Sequence, residues 1–175
     1  CIRDSFEVVL SEGFDNSQDN TNLDYSGWVN FAEQGTELWT EQVYNGNGYT
    51  EFSAYRTFED VNIGWLVTPG FDLTGSTNSF INFKLAQHHL DDDQNNTLEV
   101  FISNDFDGSN VLAATWNKLS VQIPNMSNSW YAFQDSGLID VSSYEGTIHI
   151  GFKYVGSGTN TSVSYTHLRA HETSL

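Results

Sequence analysis

Two acidic segments of the sequence carry the residue types that bind a hard cation. Glu12 and Asp15 follow a short apolar segment near the start of the chain, and Asp91 and Asp93 lie in a second segment, LDDDQNN. Ca²⁺ takes about six to eight oxygen ligands from carboxylates, amides and backbone carbonyls. We therefore predict possible ligands of a structural calcium ion among these four residues. Neither segment has EF-hand spacing, and the alternative for both is a solvated loop.

A second set of candidates is aromatic and brackets the polar turn Asn45-Gly46-Asn47-Gly48. Sugars stack on exposed rings, which combine an apolar face with polar edges, while neighbouring polar side chains bind hydroxyl groups. The candidate ligand-binding residues are Trp39, Tyr44, Tyr49 and Tyr55. The alternative for each is packing in the core or at a sheet edge. Trp28, Trp65 and Trp116 lie in apolar patterns and are interpreted as core.

No arrangement typical of catalysis stands out in the sequence. The chain contains neither a G-x-S-x-G nucleophile motif nor an H-E-x-x-H zinc motif. Paired carboxylates of the glycosidase type exist in any domain with 23 acidic residues, and nothing singles out one pair. We therefore predict that the chain is not an enzyme.

The candidate residues must be positioned by β-strands, because apolar residues recur with a period of two. Leu98, Val100 and Ile102 alternate with more polar neighbours, and the segments 80–86 and 148–154 show the same pattern. Turn-forming clusters separate the short apolar segments, and the segment Asn45-Gly46-Asn47-Gly48 is typical of a hairpin. This pattern predicts an all-β fold built from two packed antiparallel sheets.

The composition limits the classes of partner and compartment. The 175 residues include 6 Lys and Arg against 23 Asp and Glu, a formal net charge of -17, which disfavours binding to nucleic acid. Cys1 is the single cysteine, so no intramolecular disulfide is expected. No apolar segment approaches the ~20 residues needed to span a bilayer.

Both ends of the chain differ from the segments between them. Residues 1–5 and 164–175 resemble translated sequencing-adaptor read-through, and we interpret them as artefacts. A genuine short tail is the alternative for the second segment. The predicted domain is residues 6–163, and no function is assigned to the terminal segments.

Several motifs, in order, resemble one known family. They are Gly27-Trp28, Trp39, the segment WLVTPGFDL at 65–73, FINF at 80–83, LEVFISNDFDG at 98–108, ATW at 114–116, IDVSSY at 139–144 and IHIGFKY at 148–154. The series resembles the choice-of-anchor J domain of secreted and cell-surface Bacteroidetes proteins, which is similar to the cleaved adhesin domain of gingipains. The resemblance covers about residues 7–160.

The resemblance implies an antiparallel jelly-roll β-sandwich like that of many carbohydrate-binding modules. In calcium-binding jelly rolls a structural ion often lies at the end of the first strand, where Glu12 and Asp15 occur. The family usually ends in a strand of the type W-x-I-D-D, which this sequence lacks; residues 163–168 are the candidate replacement. A metal site that uses an Asp of that strand would therefore be incomplete.

The resulting functional prediction is a non-catalytic binding or adhesion module, secreted or at the cell surface, whose partner is a glycan or a surface protein. Two alternatives stay open. One is an accessory domain of a secreted peptidase or glycosidase whose catalytic part lies outside this chain. The other is a purely structural module that makes protein contacts.

Overall fold

A computed structural model describes residues 8, 10–55, 57–88, 95–124, 132–159 and 165–170 of the chain. For residues 88 and 165–170 it describes the backbone alone. The strands are β1 (Thr21–Asn22), β2 (Val29–Gln34), β3 (Thr40–Tyr44), β4 (Asn47–Phe52), β5 (Asn62–Val67), β6 (Phe71–Asp72), β7 (Phe80–Ile81), β8 (Phe83–His88), β9 (Thr97–Ser103), β10 (Asn117–Lys118), β11 (Gln134–Asp135), β12 (Ile139–Asp140), β13 (Thr147–Gly156) and β14 (Tyr165–Ala170). Within these ranges the helical structure is one 3₁₀ turn at Val111–Ala113.

The strands form two antiparallel sheets. In the first sheet the order is β1-β3-β4-β14-β8-β11, and in the second it is β10-β9-β13-β5-β2, with β6 paired to the start of β13. The short strands β7 and β12 pair with each other. The predicted fold class is confirmed: the chain is an all-β, antiparallel jelly-roll β-sandwich.

The main core lies between the two sheets. Phe52 of the first sheet packs on Tyr154 of the second at 5.0 Å between ring centroids, and Phe83 meets Phe152 edge to face at 5.1 Å. The predicted alternation of core-facing residues in β9 is confirmed, since Val100 and Ile102 are buried in the same cluster. Burial of each such side chain stabilises the fold by about 1.5–3 kcal/mol.

The predicted hairpin is also confirmed. Asn45 and Gly46 form its turn with φ angles of 51° and 78°, and β3 pairs with β4 directly across it. Positive φ at both central residues is the geometry of a type I′ turn, whose twist matches that of the strands it joins. This local signal fixes the register of the hairpin.

The sequence-based strand boundaries were wrong in one place. The segment 80–86, whose alternation predicts a single strand, is divided at Asn82 between β7 and β8. The two halves have different neighbours, because β7 pairs with β12 and β8 pairs with β14 and β11. Asn82 donates a side-chain hydrogen bond of 2.5 Å to Asp135 at this break.

The backbone of Tyr165–Ala170 lies in the first sheet between β4 and β8. This is the segment that was interpreted as foreign, and it occupies a central position in that sheet. The predicted boundary at residue 164 stays a prediction, as does the interpretation of residues 1–5, which lie outside the described ranges.

Candidate functional site

Trp39 was predicted as a ligand-binding residue, and its position contradicts that prediction. Its side chain is 0% exposed and lies in the main core, where its ring packs on Phe52 at 5.6 Å. Its indole N–H donates to the carbonyl of Gly64 at 3.3 Å, so its polar atom is satisfied within the protein. The reason is topological: Trp39 precedes β3 on the side that faces the second sheet.

Tyr49 is likewise buried, with 4% exposure. It points away from the main core, since it alternates with Thr50 and Phe52, but Phe133 covers its ring edge to face at 6.0 Å. A ring buried in this way offers no face to a sugar, so the prediction for Tyr49 was wrong as well.

Tyr44 and Tyr55 are exposed, at 46% and 40%. They lie at opposite ends of β4: Tyr44, on β3, pairs with Asn47 at its start, and Tyr55 follows Phe52 at its end. The intervening strand spans roughly 17 Å at about 3.4 Å per residue. These two tyrosines therefore do not form one binding site with each other, and their roles remain separate predictions.

The predicted calcium ligands are only partly described. Glu12 accepts a hydrogen bond from the Phe14 backbone N–H at 2.7 Å, and Asp15 is exposed beside it. Asp91 and Asp93 lie outside the described residues. No group of three His, Cys, Asp or Glu side chains gathers in the described part of the chain. Glu12 and Asp15 by themselves therefore do not supply the ligand set of a calcium ion.

The structure brings together a different group of aromatic side chains. Four rings lie on the side of the second sheet that faces away from the main core, and we call this set the outer aromatic face. Its members are Phe31 of β2, Trp65 of β5, Phe101 of β9 and Trp116, just before β10. The Trp65 ring is central, at 5.3 Å from Phe101 and 5.2 Å from Trp116. Trp65 is buried, whereas the other three rings are half-buried.

Gly151 makes this arrangement possible. It lies on β13, between β5 and β9, opposite Phe101 on one side and Val67 on the other. Its ideal Cβ position is 3.0 Å from both the Trp65 and the Trp116 rings. The strands that carry Trp65 and Phe101 are two spacings apart, about 9.6 Å. The Trp65 and Phe101 rings are in contact because Gly151, on the strand between them, has no side chain.

Charged side chains border the outer aromatic face. Lys153 forms an ion pair with Glu33 at 2.8 Å, and its ammonium lies 5.1 Å from the Trp65 ring centroid. The Trp65 indole N–H donates to Glu33 at 2.6 Å. Partial burial acts to raise the pKa of Glu33, but the hydrogen bonds from Lys153 and Trp65 and the charge of Lys153 leave it below its ordinary value.

A second ion pair lies at the other edge of this face, between Lys118 and Glu99. Glu99 is the cross-strand neighbour of Lys153, and Lys118 is the neighbour of Phe101. Two of the three lysines of the chain are thus on one face. Half-buried rings beside donors and acceptors are the chemistry of a site that binds ligands with both apolar and hydroxyl surfaces.

The loop between β9 and β10 covers one side of this face. Phe106 packs on Trp116 at 5.6 Å and edge to face on His149 at 5.0 Å. The loop is held by Asp105, which accepts hydrogen bonds from the Ser103 hydroxyl at 2.8 Å and the Thr115 N–H at 2.8 Å. Hydrogen bonds from the Thr115 side chain, the Ser103 hydroxyl and the Thr115 N–H lower the pKa of Asp105.

Trp65 and Trp116 were interpreted as core, and Phe31 and Phe101 were not singled out. Trp65 is indeed buried, but in the outer cluster and not between the sheets. The sequence signal that could have identified the outer aromatic face lies in the residues that alternate with the core-facing residues of each strand. Phe101 lies on the side of β9 that faces away from the core, as do Gly151 and Lys153 on β13. A sheet face exposed to solvent normally carries polar residues, so a phenylalanine at this position is unusual.

No protein-family model and no curated protein sequence matches this chain. Among solved structures, the K3 cleaved adhesin domain of Lys-gingipain from Porphyromonas gingivalis is similar, with 14% identity, TM-score 0.57 and coverage of 97% of this chain and 99% of that one. TmCBM61, solved with β-1,4-galactotriose, has 10% identity and TM-score 0.57, and covers 95% and 97%. The CBM22-2 xylan-binding domain of Paenibacillus barcinonensis Xyn10C has 10% identity and TM-score 0.51, with coverage of 95% and 98%.

These likenesses show that the chain shares the β-sandwich fold of cleaved adhesin domains and carbohydrate-binding modules over nearly its whole length. The similarity to cleaved adhesin domains indicated by the sequence motifs is thereby confirmed for the fold. The choice-of-anchor J assignment and the Bacteroidetes origin stay predictions. Within the described ranges no helix is long and apolar enough to cross a membrane.

Proposed function

We propose that this chain is a non-catalytic binding module of a secreted or cell-surface protein, and that it binds a glycan on the outer aromatic face. The observation that carries the proposal is the placement of Phe31, Trp65, Phe101 and Trp116 on the non-core side of one sheet. Apolar rings at those positions are not needed to fill the core between the sheets.

The arrangement suits a carbohydrate in two respects. The half-buried rings of Phe31, Phe101 and Trp116 offer faces for the apolar C–H surface of a sugar ring. The Glu99–Lys118 pair at the edge offers acceptors and donors for hydroxyl groups, and its lysine side chain is 61% exposed. The solved structures of similar fold include one in complex with β-1,4-galactotriose and one described as a xylan-binding domain.

The test uses these two polysaccharide classes. Soluble β-1,4-galactan and xylan are titrated into the full chain while tryptophan fluorescence is recorded, and affinity electrophoresis in gels containing each polysaccharide gives an independent measure. We expect one of them to retard the protein and to change its fluorescence. Phe101→Ala and Trp116→Ala are each expected to weaken binding at least tenfold, because each removes a stacking surface.

Tyr44→Ala and Tyr55→Ala serve as matched aromatic controls, since both tyrosines are exposed and neither belongs to the outer aromatic face. Circular dichroism and thermal unfolding check that each variant is folded. Binding that is lost in a tyrosine variant and kept in the Phe101 and Trp116 variants would assign the glycan to the sequence-predicted residues. Absence of binding to either polysaccharide and to a glycan array would contradict the proposal and favour a protein partner.

A further inference from the structure

A cavity of about 180 Å³ lies at the end of the second sheet where β5 and β9 begin and β13 ends. Three segments of the chain line it. They are the loop before β5 with Asp60 and Val61, the start of β9 with Asn95 and Thr97, and the end of β13 with Val155 and Ser157. These segments are neighbours because β13 pairs with β5 on one side and with β9 on the other. Strand pairing thus builds the cavity.

The cavity lies on the side of the sheet that carries the outer aromatic face. Side chains of a strand alternate between its two faces, so residues two apart share a face. Thr97 is two residues from Glu99 on β9, and Val155 is two residues from Lys153 on β13. Tyr154, between the last two, is buried in the main core. Thr97 and Val155 therefore continue the side bordered by the two charged residues.

The aromatic rings and the cavity are close enough for one extended ligand to contact both. Lys153 is the cross-strand partner of Trp65, and Val155 lies two residues further along β13. The separation is roughly 7 Å at about 3.4 Å per residue. An oligosaccharide of a few sugar residues is longer than this. One glycan chain that contacts the rings therefore reaches the cavity if it runs parallel to the strands.

The lining of the cavity differs chemically from the outer aromatic face. Its polar groups are the hydroxyls of Thr97 and Ser157, the amide of Asn95 and the carboxylate of Asp60, which is the charged group among the described lining residues. Asp60 accepts a hydrogen bond from the Thr159 hydroxyl at 2.9 Å, which orients it. Such groups donate to and accept from sugar hydroxyls. The negative charge of Asp60 disfavours an acidic sugar, so the cavity suits an uncharged one.

Hydrogen bonds between the three segments hold the walls of the cavity. The N–H of Ser157 donates to Oδ1 of Asn96 at 3.2 Å, and Asn96 is itself 2% exposed. On the other side, the N–H of Gly158 donates to the carbonyl of Glu59 at 3.0 Å. Because these bonds fix the walls in advance, less conformational freedom is lost when a ligand binds.

We propose that the cavity binds one uncharged sugar residue of the same glycan chain that stacks on the outer aromatic face, so that the glycan runs along the strands of the second sheet. This inference rests on the proposed glycan-binding function and adds a second contact region to it. The rings bind the apolar faces of the sugars, whereas the cavity binds hydroxyl groups. Affinity therefore depends on the length of the oligosaccharide.

Calorimetry on the full chain tests this dependence with xylo-oligosaccharides and β-1,4-galacto-oligosaccharides. In the series that binds, the hexasaccharide should bind about tenfold more tightly than the disaccharide, because the longer chain gains the hydrogen bonds of the cavity. Equal affinity for the two lengths would overturn this inference and leave the proposed function intact. Absence of glycan binding altogether would contradict the proposed function and this inference with it.

Asp60→Ala and Thr97→Val locate the effect, because each removes a polar group of the cavity and leaves the rings in place. Each should weaken hexasaccharide binding about five- to tenfold and leave disaccharide binding unchanged. Asp72→Ala is the matched control, since Asp72 is also exposed, accepts the Thr74 hydroxyl at 2.6 Å and lies at the opposite end of β13. Equal losses for both lengths, or full hexasaccharide affinity in both cavity variants, would overturn the inference.

Nuclear magnetic resonance gives a readout that a merely structural role would not produce. The hexasaccharide should shift the amide resonances of Thr97 and Ser157, whereas the disaccharide should shift the indole resonance of Trp116 and leave those two amides unchanged. Hexasaccharide shifts confined to the outer aromatic face would overturn the inference. Oligogalacturonate, which is acidic, should bind more weakly than the neutral hexasaccharides, and tighter binding of it would overturn the assignment of an uncharged sugar.

Discussion

The indole N–H of Trp65 donates a 2.6 Å hydrogen bond to the carboxylate of Glu33, which at the same time pairs with Lys153 at 2.8 Å. The Glu33 carboxylate thus binds both the Trp65 indole, which is the central ring of the outer aromatic face, and the Lys153 ammonium beside that ring. Because β2, β5 and β13 are neighbours in the sheet, the three residues connect three strands.

This relationship predicts a pH dependence. The pKa of Glu33 in the folded state lies below the ordinary value of 4.5, so its contribution to stability is present above pH 4.5 and is lost as the pH falls through the lowered folded value. Glu33→Gln is expected to cost about 1 kcal/mol at neutral pH. Urea unfolding of both proteins should show this difference shrinking below pH 4.5. A difference that stays constant down to pH 2 would contradict the assignment.

Gly151→Ala tests the packing of the outer face. The added methyl group would lie 3.0 Å from the Trp65 and Trp116 rings, which must then move. We expect a loss of about 1–3 kcal/mol in the free energy of unfolding, measured in urea. In a Trp116→Phe background the cost should be smaller, because part of the crowding ring is removed. Equal costs in both backgrounds would show that the rings do not limit the space at residue 151.

Trp39→Phe distinguishes the core position of Trp39 from a role in binding. The change leaves a cavity and removes the donor to the Gly64 carbonyl, so a loss of about 2–3 kcal/mol is expected in urea unfolding. Tyr44→Ala, at an exposed position, should change stability by about 1 kcal/mol or less. If both variants were equally stable, the buried position of Trp39 would be wrong.

Glu41 supports the loop before β2 in a way that the sequence pattern does not reveal. It is buried, and its two carboxylate oxygens accept the backbone N–H groups of Gln18 at 2.6 Å and Asp24 at 3.0 Å. Glu41→Gln presents one acceptor oxygen instead of two, so a loss of about 1–3 kcal/mol is expected. Hydrogen exchange at the amide of Gln18 or Asp24 should be faster than in Glu145→Gln, a control variant that removes an exposed charge elsewhere. Unchanged exchange at both amides would exclude this role.

Features that depend on neighbouring residues along the chain could be predicted from the amino-acid sequence. Alternation at Leu98, Val100 and Ile102 gave a strand with one buried face, and Asn45-Gly46 gave a type I′ hairpin, because both patterns act through local backbone geometry. The all-β class and the two-sheet architecture followed from repetition of such patterns.

Tertiary structure decided which aromatic side chains remain accessible. Tyr49 is covered by Phe133, which lies far away in the sequence, and Trp39 finds its hydrogen-bond acceptor on another strand, at Gly64. The outer aromatic face exists only because strand order and register bring together residues from separate segments. Local patterns assign a side chain to a face of its own strand. The partner that covers that face is set by the pairing of strands and by the loops packed on them, and no local pattern contains that information.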